Sequence, residues 1–394
     1  MSGNELIGKE ELKSIKEIFD KSNGVLFSHS FDERRNKIYR VEIFEKLFAK
    51  KNKAKYAVAC SSGTAAGAIC LIAAGVKPGD EVITQAFTFI APIESILSIG
   101  AIPKIIDVDK SLNMCPEKLK KAISKKTKCI MPVHMLGGTS NMKKILQVAK
   151  QNKIPVIEDA CESLGVKYNN KNLGTLGLSG FFSLDFGKII TTGEGGLICT
   201  DNKKQYLLLK SLRDHGHVNA PGIHRGLDKA LVRGFNYRMT ELQAAVGIAQ
   251  LKKLDFILKK KMQNREIFFN ILRKNKSIEF RLLHDNSKYG DQNDHLIIYL
   301  KNKKIAKKIK KILDKYKIPT GILPIATKWH YAGFWNHIWK EDKKFKKYSN
   351  KNHWRTAWSI IPRSISFPIS IKINRKELIR RAYRILNVLD KYQY

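Results

Sequence analysis

From Tyr56 onward the chain alternates short apolar runs with amphipathic stretches. YAVAC (56–60) reads as a strand and GTAAGAICLIAAG (63–75) as a helix. Strands at 81–84, 102–108, 129–135 and 154–159 then alternate with helices at 90–99, 116–124 and 142–151. Strands separated by helices of this length predict βαβ units and a mostly parallel sheet. No G-x-G-x-x-G follows the first strand, which disfavours a dinucleotide site. Ahead of this region Val41, Phe44, Leu47 and Phe48 recur at helical spacing. After Gly234 a helical stretch from Glu241 to Leu258 predicts a bridge to a second, smaller α/β domain. That domain ends in a helix with Leu378, Ile379, Ala382, Leu386 and Leu389 on one face, and Asn374 with Glu377 resembles an N-cap and its capping-box partner.

Composition narrows the classes. The 394 residues are 43% hydrophobic, ample for a buried core. No apolar run approaches the ~18 residues of a membrane span. The N-terminus lacks the apolar region of a secretory signal, so a cytoplasmic protein is expected. Six scattered cysteines without CxxC spacing predict reduced thiols, and no metal site is expected. The net charge of +38 brings nucleic acid into view. Lysines outnumber arginines more than threefold, however, and nucleic-acid readers favour the arginine fork. A solvated lysine-rich surface is the simpler account, and its positive field favours anionic small substrates.

Three features carry candidate chemistry. Ser61-Ser62-Gly63-Thr64 lies between a strand and a helix, where exposed N–H groups make an anion site, although N-capping alone would explain it. Asp159 closes the run IPVIED at a strand end, where α/β sheets place their ligands. Lys188 sits among apolar and small residues between two predicted strands. Desolvation would lower its pKa and make it a usable amine nucleophile, whereas a snorkelling lysine would not be. An anion cup, a buried acid and an amine nucleophile together are what pyridoxal 5′-phosphate (PLP) requires.

The motifs SSGTAA (61–66), GDEVIT (79–84), TFIA (88–91), PVHMLG (132–137), IEDAC (157–161), KIITTGEGG (188–196) and GFNYRMTELQAA (234–245) occur in one order. In them the chain resembles the DegT/DnrJ/EryC1/StrS family of sugar aminotransferases, within the fold type I PLP enzymes. The C-terminal third matches less distinctly. The resemblance implies a large PLP-binding domain with an N-terminal helical segment (1–260), built on a mostly parallel mixed sheet flanked by helices. A smaller C-terminal α/β domain (261–394) would follow.

Carried over by motif, Lys188 corresponds to the lysine that bonds the cofactor and Asp159 to the acid under the pyridine nitrogen. Phe89 corresponds to the aromatic stacked on the ring, and Gly63, Thr64 and Ser183 to the phosphate ligands. Asn236 corresponds to the asparagine that reaches the phosphate from the neighbouring subunit, which implies a homodimer with shared sites. Glu162 stands where many members carry Gln, and an ionised Glu cannot donate a hydrogen bond to the ring oxygen. Some sugar-dehydratase relatives carry His in place of the lysine; Lys188 places this chain with the transaminases. Glu158, beside Asp159, is expected on the opposite face of the strand and to tolerate Gln.

The implied reaction is ping-pong transamination. L-glutamate is the expected donor and a keto or aldehyde sugar of cell-surface polysaccharide or lipopolysaccharide biosynthesis the acceptor. FDERRNKIYRVEIFE (31–45) and HGHVNAPGIHRGLD (215–228) resemble a branch that forms 8-amino-3,8-dideoxy-octulosonate. Nucleotide-linked keto hexoses, as in perosamine synthesis, are the alternative, and a non-catalytic PLP-binding regulator a further one. His215, His217, Arg225 and His330 are candidate acceptor contacts, each histidine equally open to a packing role. Neither nucleic acid nor a membrane is expected as a partner.

Overall fold

The structure is a computed structural model; it describes residues 3–29, 33–220, 222–285, 287, 290–323 and 327–392. Residues 31 and 32 of the first octulosonate-type stretch and 221 of the second lie outside the described residues. The described residues form twelve strands: β1 (Tyr56–Cys60), β2 (Glu81–Gln85), β3 (Ile102–Ile106), β4 (Thr127–Ile130), β5 (Ile157–Asp159), β6 (Lys167–Tyr168), β7 (Lys171–Asn172), β8 (Ser179–Ser183), β9 (Gly196–Thr200), β10 (Glu279–Phe280), β11 (His295–Tyr299) and β12 (Ser364–Pro368). The pairs β3–β2–β4 are parallel, β5–β8 is parallel, and β9 runs antiparallel to both β8 and β1. Parallel bridges Ile130–Val156 and Val133–Asp159 join β4 to β5. The result is one mixed sheet in the order β3-β2-β4-β5-β8-β9-β1, with β9 alone reversed.

Every strand of this sheet is buried along most of its length, as strands covered on both faces are. Helices Gly63–Ala73 and Ala91–Ser98 cover one side, and Ile69, Leu71 and Ile96 pack there with Val58, Val82 and Ile157. The opposite side of β1, β8 and β9 meets helix Arg40–Asn52 through Phe44 and Phe48. Leu47 departs from its expected place on that face and is exposed, while Glu45 is buried and accepts from Ala59 N (2.8 Å). The expected strand 129–135 ends at Ile130, because Pro132 has no N–H to continue a ladder. The chain then turns sharply at Met135–Gly137, where Leu136 and Gly137 take positive φ.

The bridging helix is longer than the pattern predicted. It runs unbroken from Glu241 to Leu272, with Thr240 and Gln243 forming a capping box, and the expected boundary at 260/261 falls inside it. Its C-terminal half packs with helices Lys303–Lys315 and Arg375–Tyr392 on the antiparallel sheet β10-β11-β12. On the last helix Leu378, Ala382, Leu386 and Leu389 are buried as expected, with Ile379 half-buried. Asn374 caps it by accepting from Glu377 N (2.9 Å), but the Glu377 carboxylate pairs forward with Arg380 and Arg381. Residues 331–361 do not join the second sheet. Their aromatic block, including Tyr331, Trp335, Trp339 and Trp354, packs on Phe87, Val108 and Val133 of the first sheet region.

Candidate active site

A cavity of about 440 Å³ opens at the C-terminal ends of the parallel strands β1, β2, β5 and β8. Ligands of α/β proteins bind at that edge, because the loops and helix N-termini gather there. β9 delivers its first residue, Gly196, to the same edge, paired with both Cys60 and Ser183.

One end of the cavity is an anion cup. Ser62, in extended backbone, caps helix Gly63–Ala73 by accepting from Ala65 N (3.1 Å), and its carbonyl takes Ala66 N (3.0 Å). The Gly63 and Thr64 amides are left without an intrahelical acceptor, at the positive end of the helix dipole. The Ser183 hydroxyl, at the end of β8, accepts from Asp185 N (3.3 Å), so its own proton is free for a ligand. Only glycine fits at 63: a Cβ there would stand 2.9 Å from Ser183 Cβ.

The acid lies across the floor. Asp159 ends β5 with 4% of its surface exposed, and its Oδ1 accepts from Cys161 N (3.0 Å). Burial raises its pKa, opposed by the Cys161 amide and the Lys188 charge. A cation seated against this carboxylate would return it to the ionised form, and a pyridinium N–H is such a cation. Glu158 points the other way, as the strand alternation requires. It is fully buried and accepts from Leu176 N (2.6 Å), Gly177 N (2.8 Å) and Gly174 N (3.0 Å), which argues against the expected tolerance of Gln. His134 Nε2 completes the set at 3.2 Å; since His134 Nδ1 accepts from Ser140 N (3.2 Å), the Nε2 proton is the one donated to Glu158.

Lys188 enters from the loop between β8 and β9. Its Nζ stands 3.6 Å from Glu162 Oε1, and Glu162 Oε2 accepts from Leu136 N (2.8 Å). The lowered lysine pKa expected from burial is not found. Burial does depress it, but the facing Glu162 and Asp159 charges outweigh that and hold Lys188 above the usual lysine value. Burial pushes Glu162 up in turn, yet the Lys188 and His330 charges and the Leu136 amide leave it below the ordinary range. Glu162 is therefore an ionised acceptor.

Phe89, just past β2, is 41% exposed, and its ring lies 5.4 Å from the His330 ring at 56°. Burial lowers the pKa of His330, partly offset by the Glu162 charge. His330 reaches the cavity because its carbonyl takes Thr88 N (3.2 Å) and Phe87 bridges to Tyr331.

The remaining expected site residues lie elsewhere. Asn236, His215, His217 and Arg225 do not line this chain's cavity; they belong to residues 213–238, folded back on themselves through the Asp214–Asn236 and His217–Ala230 bridges. Arg225 pairs with Asp214, which Arg238 also contacts (2.7 Å), and the two guanidiniums outweigh burial and hold that carboxyl far below its usual range. His217 Nδ1 faces Asp228 at 3.5 Å. The segment is nonetheless tied to the cup, since Ser61 N donates to Tyr237 O (2.8 Å). Asp185, Glu194, Cys161 and Ile322 also line the cavity and were not foreseen. Cys161 and Glu194 lie inside motifs already quoted, and Asp185 just ahead of Lys188; Ile322 lies in the weakly matching third and gave no signal. The cavity thus holds four carboxylates (Asp159, Glu162, Asp185 and Glu194) against one lysine and one histidine. Among the described residues no group of three or more metal-binding side chains occurs, and no helix is long and apolar enough to cross a membrane.

The Gly63–Thr64 helix end, the buried Asp159 and Lys188 line one cavity, which is the set of groups that PLP would require. Comparison with known proteins agrees. GDP-perosamine synthase of Caulobacter vibrioides is 43% identical over 213 residues, 54% of this chain and 56% of that protein. The chain thus matches little more than half the length of that relative, and 62% of a second GDP-perosamine synthase, from Escherichia coli O157:H7. The spore coat polysaccharide biosynthesis protein SpsC of Bacillus subtilis is 32% identical over 328 residues, 80% of this chain and 81% of that one. An aminotransferase from Psychrobacter cryohalolentis shares the fold with a TM-score of 0.85 at 23% identity, covering 98% of both chains. Escherichia coli GDP-4-keto-6-deoxy-D-mannose-3-dehydratase, solved with bound hydrated PLP, superposes with a TM-score of 0.79 at 26% identity over 98% of this chain and 97% of that one. The family model matches residues 17–384, and the chain belongs to the DegT/DnrJ/EryC1/StrS aminotransferase family.

Proposed function

We propose that the protein is a PLP-dependent sugar aminotransferase, taking an amino group from a donor such as L-glutamate and passing it to a keto or aldehyde sugar. The observation that carries this reading is the single cavity in which Lys188, Asp159 and the Gly63–Thr64 helix end converge. PLP, when bound, supplies an electron sink for the carbanion formed at the amino-bearing carbon. The Gly63 and Thr64 amides and the Ser183 hydroxyl hold its phosphate, and Asp159 keeps its ring nitrogen protonated. Phe89 packs on the ring face. The Lys188 Nζ would anchor the cofactor and would carry the proton at the reacting carbon as base and then acid. Glu162, held by the Leu136 amide, forms an ion pair with Lys188 at 3.6 Å and limits where Nζ can sit.

The acceptor follows less directly from one chain. Four carboxylates line the cavity, so an anionic donor or acceptor needs cations that this chain does not place there. Residues 213–238 carry Arg225, Arg233, Arg238, His215 and His217 away from the chain's own cavity, which supports a homodimer in which Asn236 and these cations serve the partner's site. His330 contributes from the same chain. Within this reading an eight-carbon sugar acid, giving 8-amino-3,8-dideoxy-octulosonate for lipopolysaccharide, is the preferred acceptor. A nucleotide-linked 4-keto hexose is the second reading, favoured by the names of the GDP-perosamine synthases. The cytoplasm is the compartment in which all six free cysteines stay reduced.

The test is the visible spectrum of the PLP-loaded protein with L-glutamate, followed by each acceptor. Bleaching by glutamate and recovery with the octulosonate-type acceptor supports the first reading; recovery only with the nucleotide sugar supports the second. A protein that binds no PLP removes both.

A further inference from the structure

We propose that the N-terminal segment 3–11 positions Lys188, gripping the loop 188–191 from two sides; the inference rests on Lys188 being the cofactor-bearing lysine. The first grip is backbone to backbone. Gly3 N donates to the Lys188 carbonyl at 2.9 Å, and Gly3 is buried against the loop. A Cβ at residue 3 would stand 2.8 Å from Lys188 O and 2.9 Å from the Ile190 backbone, so only glycine allows the approach. The second grip runs through two buried side chains. Glu11 Oε1 accepts from Gln250 Nε2 (2.8 Å), and Gln250 Oε1 accepts from Thr191 N (3.4 Å). Glu11 is 2% exposed and Gln250 fully buried, so neither bond is exchanged for water without cost.

The segment is itself anchored on the side away from the cavity. The Glu5 carboxylate accepts from Ser370 Oγ (2.8 Å) and Lys372 N (3.3 Å), just past β12. Lys253, on the long helix, donates to the Leu6 carbonyl (2.6 Å) and to Glu11 Oε2 (2.8 Å). Gly3 therefore meets Lys188 from a fixed support. Between the two grips, Ile189 and Ile190 are sunk in the core under β8 and β9, so the peptide plane after Lys188 is set at both ends. Since Nζ hangs from that backbone, the grip decides how Nζ lies toward Glu162 and Asp159. Misplacing a reacting group by about 1 Å costs on the order of 100-fold in rate.

The experiment compares the full-length, PLP-loaded wild type with Gly3→Val, Gly3→Ala and Gln250→Leu, and with Lys16→Ala as an outer-face control. The readout is the pH midpoint of the bound cofactor's visible absorbance, with turnover and thermal stability measured alongside. Gly3→Val is expected to move the midpoint by about 0.5 unit or more, since the lysine's charged neighbours shift with it. Its turnover should fall roughly 10- to 100-fold. Gln250→Leu should move both in the same direction, and Lys16→Ala neither. If Gly3→Val does not fold, Gly3→Ala and Gln250→Leu carry the test. Unchanged midpoints and turnover in the folded variants, with only thermal stability lost, would overturn the proposal and leave a structural contact. Borohydride fixation of the wild type separates the other failure, because a label on a different lysine removes the underlying reading instead.

Discussion

Replacing Glu158 by Gln changes one atom beside the site and should damage the protein. Glu158 Oε1 accepts from the Leu176 and Gly177 amides, and Oε2 from the Gly174 amide and His134 Nε2. A glutamine can keep its oxygen toward only one of these pairs. The other pair then faces an NH₂ group, donor against donors, at a position with no exposed surface. His134 cannot resolve the clash by changing tautomer, because its Nδ1 already accepts from Ser140 N. Two hydrogen bonds to a charged acceptor are lost at about 1.5–3 kcal/mol each. Relaxation of the 174–177 turn recovers part, leaving about 3–5 kcal/mol, in the range for breaking a buried charged contact. With an unfolding entropy of about 2.1 cal/mol/K per residue, this corresponds to a drop of roughly 5 °C in the melting temperature of a 394-residue chain. Urea and thermal unfolding of wild type, Glu158→Gln, His134→Asn and the double variant measure it. The two side chains should show a coupling of about 1–3 kcal/mol. A Glu158→Gln loss below about 1 kcal/mol would refute the donor-clash reasoning.

Further outcomes follow from the same geometry. Lys188→Ala should abolish transamination with the fold intact, because anchor and proton carrier vanish while the cup remains; circular dichroism and an activity assay decide, and retained turnover would sink the assignment. Asp159→Asn should keep PLP binding but lower turnover by roughly 100-fold or more, since an amide cannot hold the ring proton; a mild effect in steady-state kinetics would contradict the role. Stability at acid pH should rest partly on Asp214, whose depressed pKa makes its contribution complete above the ordinary carboxylate value and lost as pH falls through the folded one. Arg225→Ala should therefore start acid unfolding, followed by circular dichroism, at a higher pH than in wild type. Mixing Asn236→Ala with Lys188→Ala chains should restore activity in heterodimers, one site escaping both changes; no rescue in verified heterodimers would show that Asn236 serves its own chain.

What the sequence disclosed and what it hid divide along a physical line. The cup was legible because a strand, a small hydroxyl run and a helix start are all local: Ser62 caps three residues away, and Gly63 is where the backbone must pass Ser183. Asp159 was legible because the strand period separates it from Glu158. The same period could not say what Glu158 meets, since Gly174, Leu176 and Gly177 arrive from a turn 16 to 19 residues on. The lysine pKa failed in sign for a related reason. Burial is a property of the segment, whereas the Glu162 charge that outweighs it is 26 positions away. The N-terminal grip is less legible again, because Gly3 and Lys188 are 185 residues apart and nothing local to either announces the other. Residues 213–238 mark the end of this series. They carry Arg225, His215 and His217, candidate acceptor contacts by the motif resemblance, yet their own chain folds them away from its cavity. Under the proposed homodimer those residues would meet the partner's acidic cavity, and the mixed-chain experiment examines that step directly.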